Sequence, residues 1–165
     1  MRKYWRFAVP LAALVLAAVV FLAWAIPRTP HVVSVGTRIQ HDDFFFTVMR
    51  IARQRLSDGT AFYHANVRVQ SEAKAVNYNW RDSIAYVRAF DSGGYGHNFY
   101  PVTNGSMTLA PGEERTVQLE FRVPPGFSSA NIRFWDGIFM GDVSNAGMYG
   151  REIVPLEPYH PPFGT

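Results

Sequence analysis

Three oxygen donors in a short aromatic stretch are the nearest approach to a metal motif in this chain. Asp136, Asp142 and Asn145 fall within residues 134–145, beside Gly137 and Gly141. Calcium takes such carboxylate and amide oxygens from a loop bent by glycine. The spacing is not that of an EF-hand, so turn-capping acids are the plainer expectation and no metal is assigned. Trp135, Phe139 and Tyr149 surround these donors. Their types are enriched at protein interfaces, although the same rings also fill sandwich cores. They are the candidates for partner binding.

The five histidines, His31, His41, His64, His97 and His160, form no zinc pattern. Met49, Met107, Met140 and Met148 are scattered, so copper handling through Met and His is a minor alternative to core filling. His41-Asp42-Asp43 puts two carboxylates beside an imidazole. Adjacent strand residues point to opposite faces, so a polar turn before an apolar strand is expected there. Asn104-Gly105-Ser106 is both a glycosylation sequon and a hairpin-turn signal. No nucleophile elbow, P-loop or dinucleotide fingerprint occurs. No enzyme activity and no cofactor are expected, and a hydrolase assembled only in three dimensions ranks last.

The chain has no cysteine, which excludes disulfides, thiolate catalysis and Cys-based metal sites. The pI of about 9.4 suggests a basic protein. However, four of the sixteen Lys and Arg residues (Arg2, Lys3, Arg6 and Arg28) flank an N-terminal apolar run. Residues 29–165 then carry twelve basic and thirteen acidic side chains. Nucleic-acid binding needs a basic patch, and none is expected. Arg50, Arg53 and Arg55 form the densest basic group, read as a solvated face ahead of an anionic-lipid contact.

The apolar run, residues 7–26, is uncharged and holds eleven Leu, Ile, Phe or Val residues. Twenty helical residues reach about 30 Å, the thickness of a bilayer's hydrocarbon core. Phe7, Leu11, Leu14, Leu16, Phe21, Leu22 and Trp24 would contact lipid. Three cations before the run and one after it predict residues 1–6 as a cytoplasmic flank and residues 29–165 outside. Ala23-Trp24-Ala25 also has the form of a signal-peptidase site, but the run exceeds the usual signal-peptide core. Either reading exports the chain to the periplasm or the cell exterior. The bilayer itself is thus one expected partner.

Beyond residue 30 the pattern is one of short strands punctuated by Gly, Pro, Asn and Asp. The clearest covers residues 115–123, with Val117, Leu119, Phe121 and Val123 on one face and Thr116, Gln118, Glu120 and Arg122 on the other. Phe44, Phe46 and Val48 alternate likewise, as do Ala65, Val67 and Val69. Further strands are expected over residues 84–90, 95–102, 132–139 and 148–155. Tyr78, Trp80, Tyr95, Phe99 and Tyr100 add aromatic surface around the loops. About seven strands in ~125 residues indicate a β-sandwich or barrel. The expected organisation is a spacer over 27–34, a sandwich over 35–155 and a Pro-rich tail over 156–165.

The order of motifs is also familiar. Val35-Gly36-Thr37 leads into Phe44-Phe45-Phe46-Thr47-Val48, then Ala65-Asn66-Val67-Arg68-Val69-Gln70, then Val87-Arg88-Ala89-Phe90-Asp91-Ser92-Gly93-Gly94. Leu109-Ala110-Pro111-Gly112-Glu113-Glu114 precedes the alternating strand ending at Val123-Pro124. This resembles the bacterial extracellular immunoglobulin-like domains grouped with the mycobacterial immunoprotective antigen, over roughly residues 33–140. Ser71 stands where members commonly have Asn. The resemblance implies an all-β, immunoglobulin-like antiparallel sandwich after one N-terminal transmembrane helix. It implies no catalytic residues. The function expected is binding or assembly near the membrane, with a membrane or envelope protein as partner; a calcium, copper or small-ligand carrier is the alternative.

Overall fold

The computed structural model describes residues 14–16, 31–135 and 152–157. Residues 14–16 are helical; the remainder is nearly all strand. The strands are β1 (His31–Val32), β2 (Arg38–His41), β3 (Phe44–Arg55), β4 (Ala61–Ser71), β5 (Tyr78–Arg81), β6 (Ala85–Phe90), β7 (Gly96–Phe99), β8 (Ser106–Leu109), β9 (Glu114–Val123), β10 (Ser128–Phe134) and β11 (Glu152–Pro155). A 3₁₀ turn, Asp82–Ile84, joins β5 to β6. Among the described residues no helix is long and apolar enough to cross a membrane.

Two sheets face each other. One runs β1-β11-β10-β6-β7 and the other β2-β3-β4-β9, while β5 and β8 pair separately. Alternation explains which residues face inward. β4 buries Ala61, Tyr63, Ala65, Val67 and Val69, and β9 buries Leu119, Phe121 and Val123 against them. Opposite, β6 contributes Ala85, Val87 and Ala89, and β10 contributes Ala130, Ile132 and Phe134. Phe46 joins the sheets: it stacks on Phe134 at 4.9 Å between ring centroids and lies 5.6 Å from Trp80.

Tyr78 and Trp80 therefore belong to the core, not to an aromatic surface. Both are buried, while Asn79 between them and Arg81 after them are exposed. The strand is only four residues long, too short for its alternation to stand out from neighbouring loops.

A bulge sets the fate of the arginine group. The β3–β4 register shifts between Val48 and Arg50. One extra residue moves every later side chain to the other face. Arg50 thus points outward, but Arg53 and Arg55 lie opposite inward-facing Tyr63 and Ala61. All three are exposed, as their spacing suggests, but the bulge divides them between the two faces of the strand. Arg53 Nη2 lies 2.7 Å and Arg55 Nη2 3.5 Å from a carboxylate oxygen of Glu157.

The register also aligns one end of the sandwich. His31 pairs with Glu152 in parallel β1 and β11, and Ile132 pairs with Val154 in antiparallel β10 and β11. Counting two residues along each strand brings Phe134 level with Glu152, and Phe134 pairs with Ala85. His31, Glu152, Phe134 and Ala85 thus form one row across the sheet. His31 and Val32, read from the sequence as spacer, are already part of that sheet.

Candidate functional site

The outward side of the five-stranded sheet is open only in part. Asn131 and Ile153 point outward yet are fully buried. The accessible strip runs along β6 and β7. Tyr86, Arg88 and Phe90 alternate outward from β6, opposite the core residues Ala85, Val87 and Ala89; Arg88 and Phe90 are half-buried, and Tyr86 is buried. Asn98 lies across from Arg88, and Tyr100 follows two residues later. Among the described residues β7 is an edge strand of this sheet.

Side chains along the strip hold one another. Arg88 Nη1 donates to Asn98 Oδ1 at 3.3 Å, and its guanidinium crosses Gly96, where a Cβ would come within 2.5 Å of Nε. A side chain there would push the Arg88 guanidinium aside. Arg88 also lies 5.9 Å from the Phe90 ring centroid. The rings of Tyr86 and Tyr100 are 6.1 Å apart. Burial pushes the Tyr86 hydroxyl above the usual phenol range, while Arg133 and Arg88 act against that rise. Arg133 Nε in turn donates to Asn131 Oδ1 at 2.9 Å. Two aromatic rings, two guanidinium groups and an amide in one strip are the side-chain types that recognise protein surfaces. Tyr100 is 58% exposed.

At the far end, the β6–β7 hairpin is shaped by Asp91. One carboxylate oxygen accepts from the Gly93 and Tyr95 amides at 2.9 and 3.0 Å. The other lies 2.9 Å from His97 Nε2. The His97 contact and then these amides hold the Asp91 carboxyl below its ordinary range. This dyad is a turn brace, and His97 meets Phe127 edge-on at 5.2 Å.

Of the sequence candidates for partner binding, Trp135 is exposed, at 57%, and its amide donates to Ile84 O at 2.7 Å. Phe139 and Tyr149 lie outside the described residues, as do the calcium candidates Asp136, Asp142 and Asn145. Among the described residues no group of three or more His, Asp or Glu could hold a metal ion. His41 is buried against Phe46, at 5.4 Å between centroids. His64 sits 3.5 Å from Glu120 on the outer face of the other sheet. Of the membrane-contact candidates, Leu14 and Leu16 are described, whereas Phe7, Leu11, Phe21, Leu22 and Trp24 lie outside.

Sequence reasoning singled out Tyr100 but missed Tyr86 and Arg88. Their signal was present: Tyr86, Arg88 and Phe90 alternate with three small or β-branched residues. Only the pairing with β7 shows that the two strands share one strip.

No protein-family profile matches the chain. No curated protein matches it. Among solved structures, the chain is similar to an uncharacterised β-sandwich protein from Clostridium difficile 630, with 12% sequence identity, coverage of 79% of this chain and 97% of that one, and a TM-score of 0.48.

Proposed function

We propose that this chain is a membrane-tethered extracytoplasmic binding module that uses the outer β6–β7 strip to hold a membrane or envelope protein. The observation that carries this reading is the strip itself. Tyr100 is held beside Tyr86 and next to Arg88 and Asn98, and more than half of it is open to solvent. An interface needs ordered aromatic and guanidinium anchors, and order before binding lowers the entropy cost of association.

The sandwich reads as immunoglobulin-like. The order β11-β10-β6-β7 opposite β3-β4-β9 corresponds to strands G-F-C-C′ facing A-B-E. The membrane tether rests on the apolar run of residues 7–26 and on its flanking charges. Residues 14–16 of that run are helical, with Leu14, Val15 and Leu16 69%, 54% and 67% exposed. Grouping with the mycobacterial antigen rests on the motif order alone.

The test is site-specific photocrosslinking in native membranes. A benzophenone side chain is placed at Tyr100 and, as a control on the other sheet, at Thr116. A discrete adduct from the Tyr100 position alone, lost with Arg88→Ser in a chain that still folds, supports the reading. Adducts from both positions or from neither overturn it.

A further inference from the structure

We propose that the end of the sandwich carrying Trp135 sits in the lipid headgroup layer, so that the domain stands on the membrane instead of swinging from it. This rests on the tethered reading above and specifies its geometry. The first support is register. His31 and Phe134 lie in one row of the five-stranded sheet, two strand spacings apart, or about 10 Å. Trp135 is one residue beyond that row. β1 starts in that row with His31 and runs away from that end.

The second support is chain length. Four residues, 27–30, separate the apolar run from His31, and two of them are Pro27 and Pro30. At ~3.1 Å per residue they reach only about 12 Å. A run that ends at the hydrocarbon boundary therefore leaves this end of the domain within the headgroup layer or just above it. The third support is the residue that stands there. Trp135 is 57% exposed, while its amide is pinned to Ile84 O at 2.7 Å. Tryptophan favours the headgroup layer, where an apolar ring and a polar N–H are both accommodated.

Other groups at this end fit a zwitterionic surface better than an anionic one. The β2–β3 turn places Asp42 and Asp43 there, and the segment after β4 places Lys74 and 59%-exposed Val76. Glu72 and Glu113 are paired with Arg38 and Arg115. Among the described residues no basic patch is left over at this end, and Trp135 and Val76 are the exposed apolar groups. Seating this end also turns the β6–β7 strip sideways, toward a neighbour in the same membrane.

The absence of cysteine allows a direct test. The full chain is reconstituted in phosphatidylcholine vesicles with a nitroxide on Val76→Cys or, at the opposite end, on Tyr95→Cys. Collisional access of a water-soluble nickel chelate is then read for each label. We expect access at Val76 to be at least threefold lower than at Tyr95, and to rise to the Tyr95 level when Trp135→Ser is added. Circular dichroism and label mobility at Tyr95 confirm that each variant is folded. Equal access at the two labels in a chain that floats with the vesicles overturns the seating and leaves the tether intact. Chain that does not float overturns both. Protection of Val76 in native membranes but not in vesicles holding this chain alone overturns lipid contact and assigns this end to a protein.

Discussion

Tyr63 donates its hydroxyl hydrogen to a carboxylate oxygen of Glu157 at 2.5 Å, linking the two sheets near the end opposite Trp135. Tyr63 lies on β4, an inner strand of its sheet, and Glu157 lies two residues beyond β11. Arg53 approaches the same oxygen, so one carboxylate holds a phenol and a guanidinium from the facing sheet. A half-buried carboxylate that loses one partner still has the other, but the partners depend on the carboxylate. Tyr63→Phe should therefore cost about 1.5 kcal/mol and Glu157→Ala about 3 kcal/mol. The double variant should cost less than their sum, because the sites are coupled. Urea unfolding of the single and double variants checks this.

The same contact predicts an alkaline limit. Burial, the hydrogen bond to Glu157 and its negative charge raise the Tyr63 hydroxyl well above an ordinary phenol. Tyr86 is raised as well, chiefly by burial. A group raised on folding contributes stability that is complete below its unfolded pKa, about 10, and lost as pH rises from there toward the folded value. Each such tyrosine should remove about 1.4 kcal/mol per pH unit above that point. Tyr63→Phe should roughly halve the slope of stability against pH between 10 and 11. An unchanged slope would show that Tyr63 ionises alike in both states.

Asp82 controls another link. It is buried, accepting from Trp80 Nε1 at 3.0 Å and from the Gly105 amide at 2.8 Å, while its own amide donates to Gly105 O at 2.9 Å. Asp82→Asn replaces one acceptor with a donor facing a donor and should cost about 2 kcal/mol. Gly105→Ala would put Cβ 3.0 Å from Asp82 Oδ2, against a side chain already fixed by Trp80. It should destabilise by about 1–3 kcal/mol. Denaturation followed by Trp emission, which includes buried Trp80, measures both.

The Asp82–Gly105 pair also marks the limit of what was legible in the sequence. Asn104-Gly105 reads as a hairpin turn, but the segment leads from β7 to β8, which belongs to a different sheet. Gly105 is needed there for close approach to a carboxylate 23 residues away, and such a separation leaves no periodic trace. Where burial alternates along a long strand, the sequence was sufficient: β9 and the inward face of β4 follow from it. The β3 bulge was not legible, since an extra residue is defined only against its partner strand. The Asp91-Ser92-Gly93-Gly94 turn was readable because its signal is local. The β6–β7 strip was half readable, its aromatic residues being visible but their pairing not.

That turn should lose order in acid. The Asp91 carboxyl is held below its ordinary range by His97 and by the Tyr95 and Gly93 amides. A depressed carboxylate contributes above its unfolded pKa, near 3.9, and loses that contribution as pH falls through the folded value. The Gly93 and Tyr95 amide resonances should therefore shift together below about pH 4 in an NMR titration. In Asp91→Asn both should stay flat over the same range. Independent midpoints for the two amides would show that Asp91 is not the common acceptor.

The outer edge of β3 calls for protection. β2 pairs with it only from Phe44 to Thr47, and among the described residues no strand covers the segment from Arg50 to Arg55. The Leu56 amide bonds toward β4, so by antiparallel alternation the backbone groups of Ile51, Arg53 and Arg55 face the open edge. An uncovered edge recruits other strands unless charge prevents it. Arg53 and Arg55 are engaged by Glu157, which leaves outward-facing Arg50 and Gln54 as the polar guard. Arg50→Val with Gln54→Val preserves the Glu157 contacts and raises β propensity. The pair should leave unfolding within about 0.5 kcal/mol of wild type, as surface changes do. Light scattering should nevertheless show association that grows with protein concentration. Lys at both positions should keep the chain monomeric under the same conditions. Equal scattering from the Val and Lys pairs would mean that this edge is shielded by something other than its side chains.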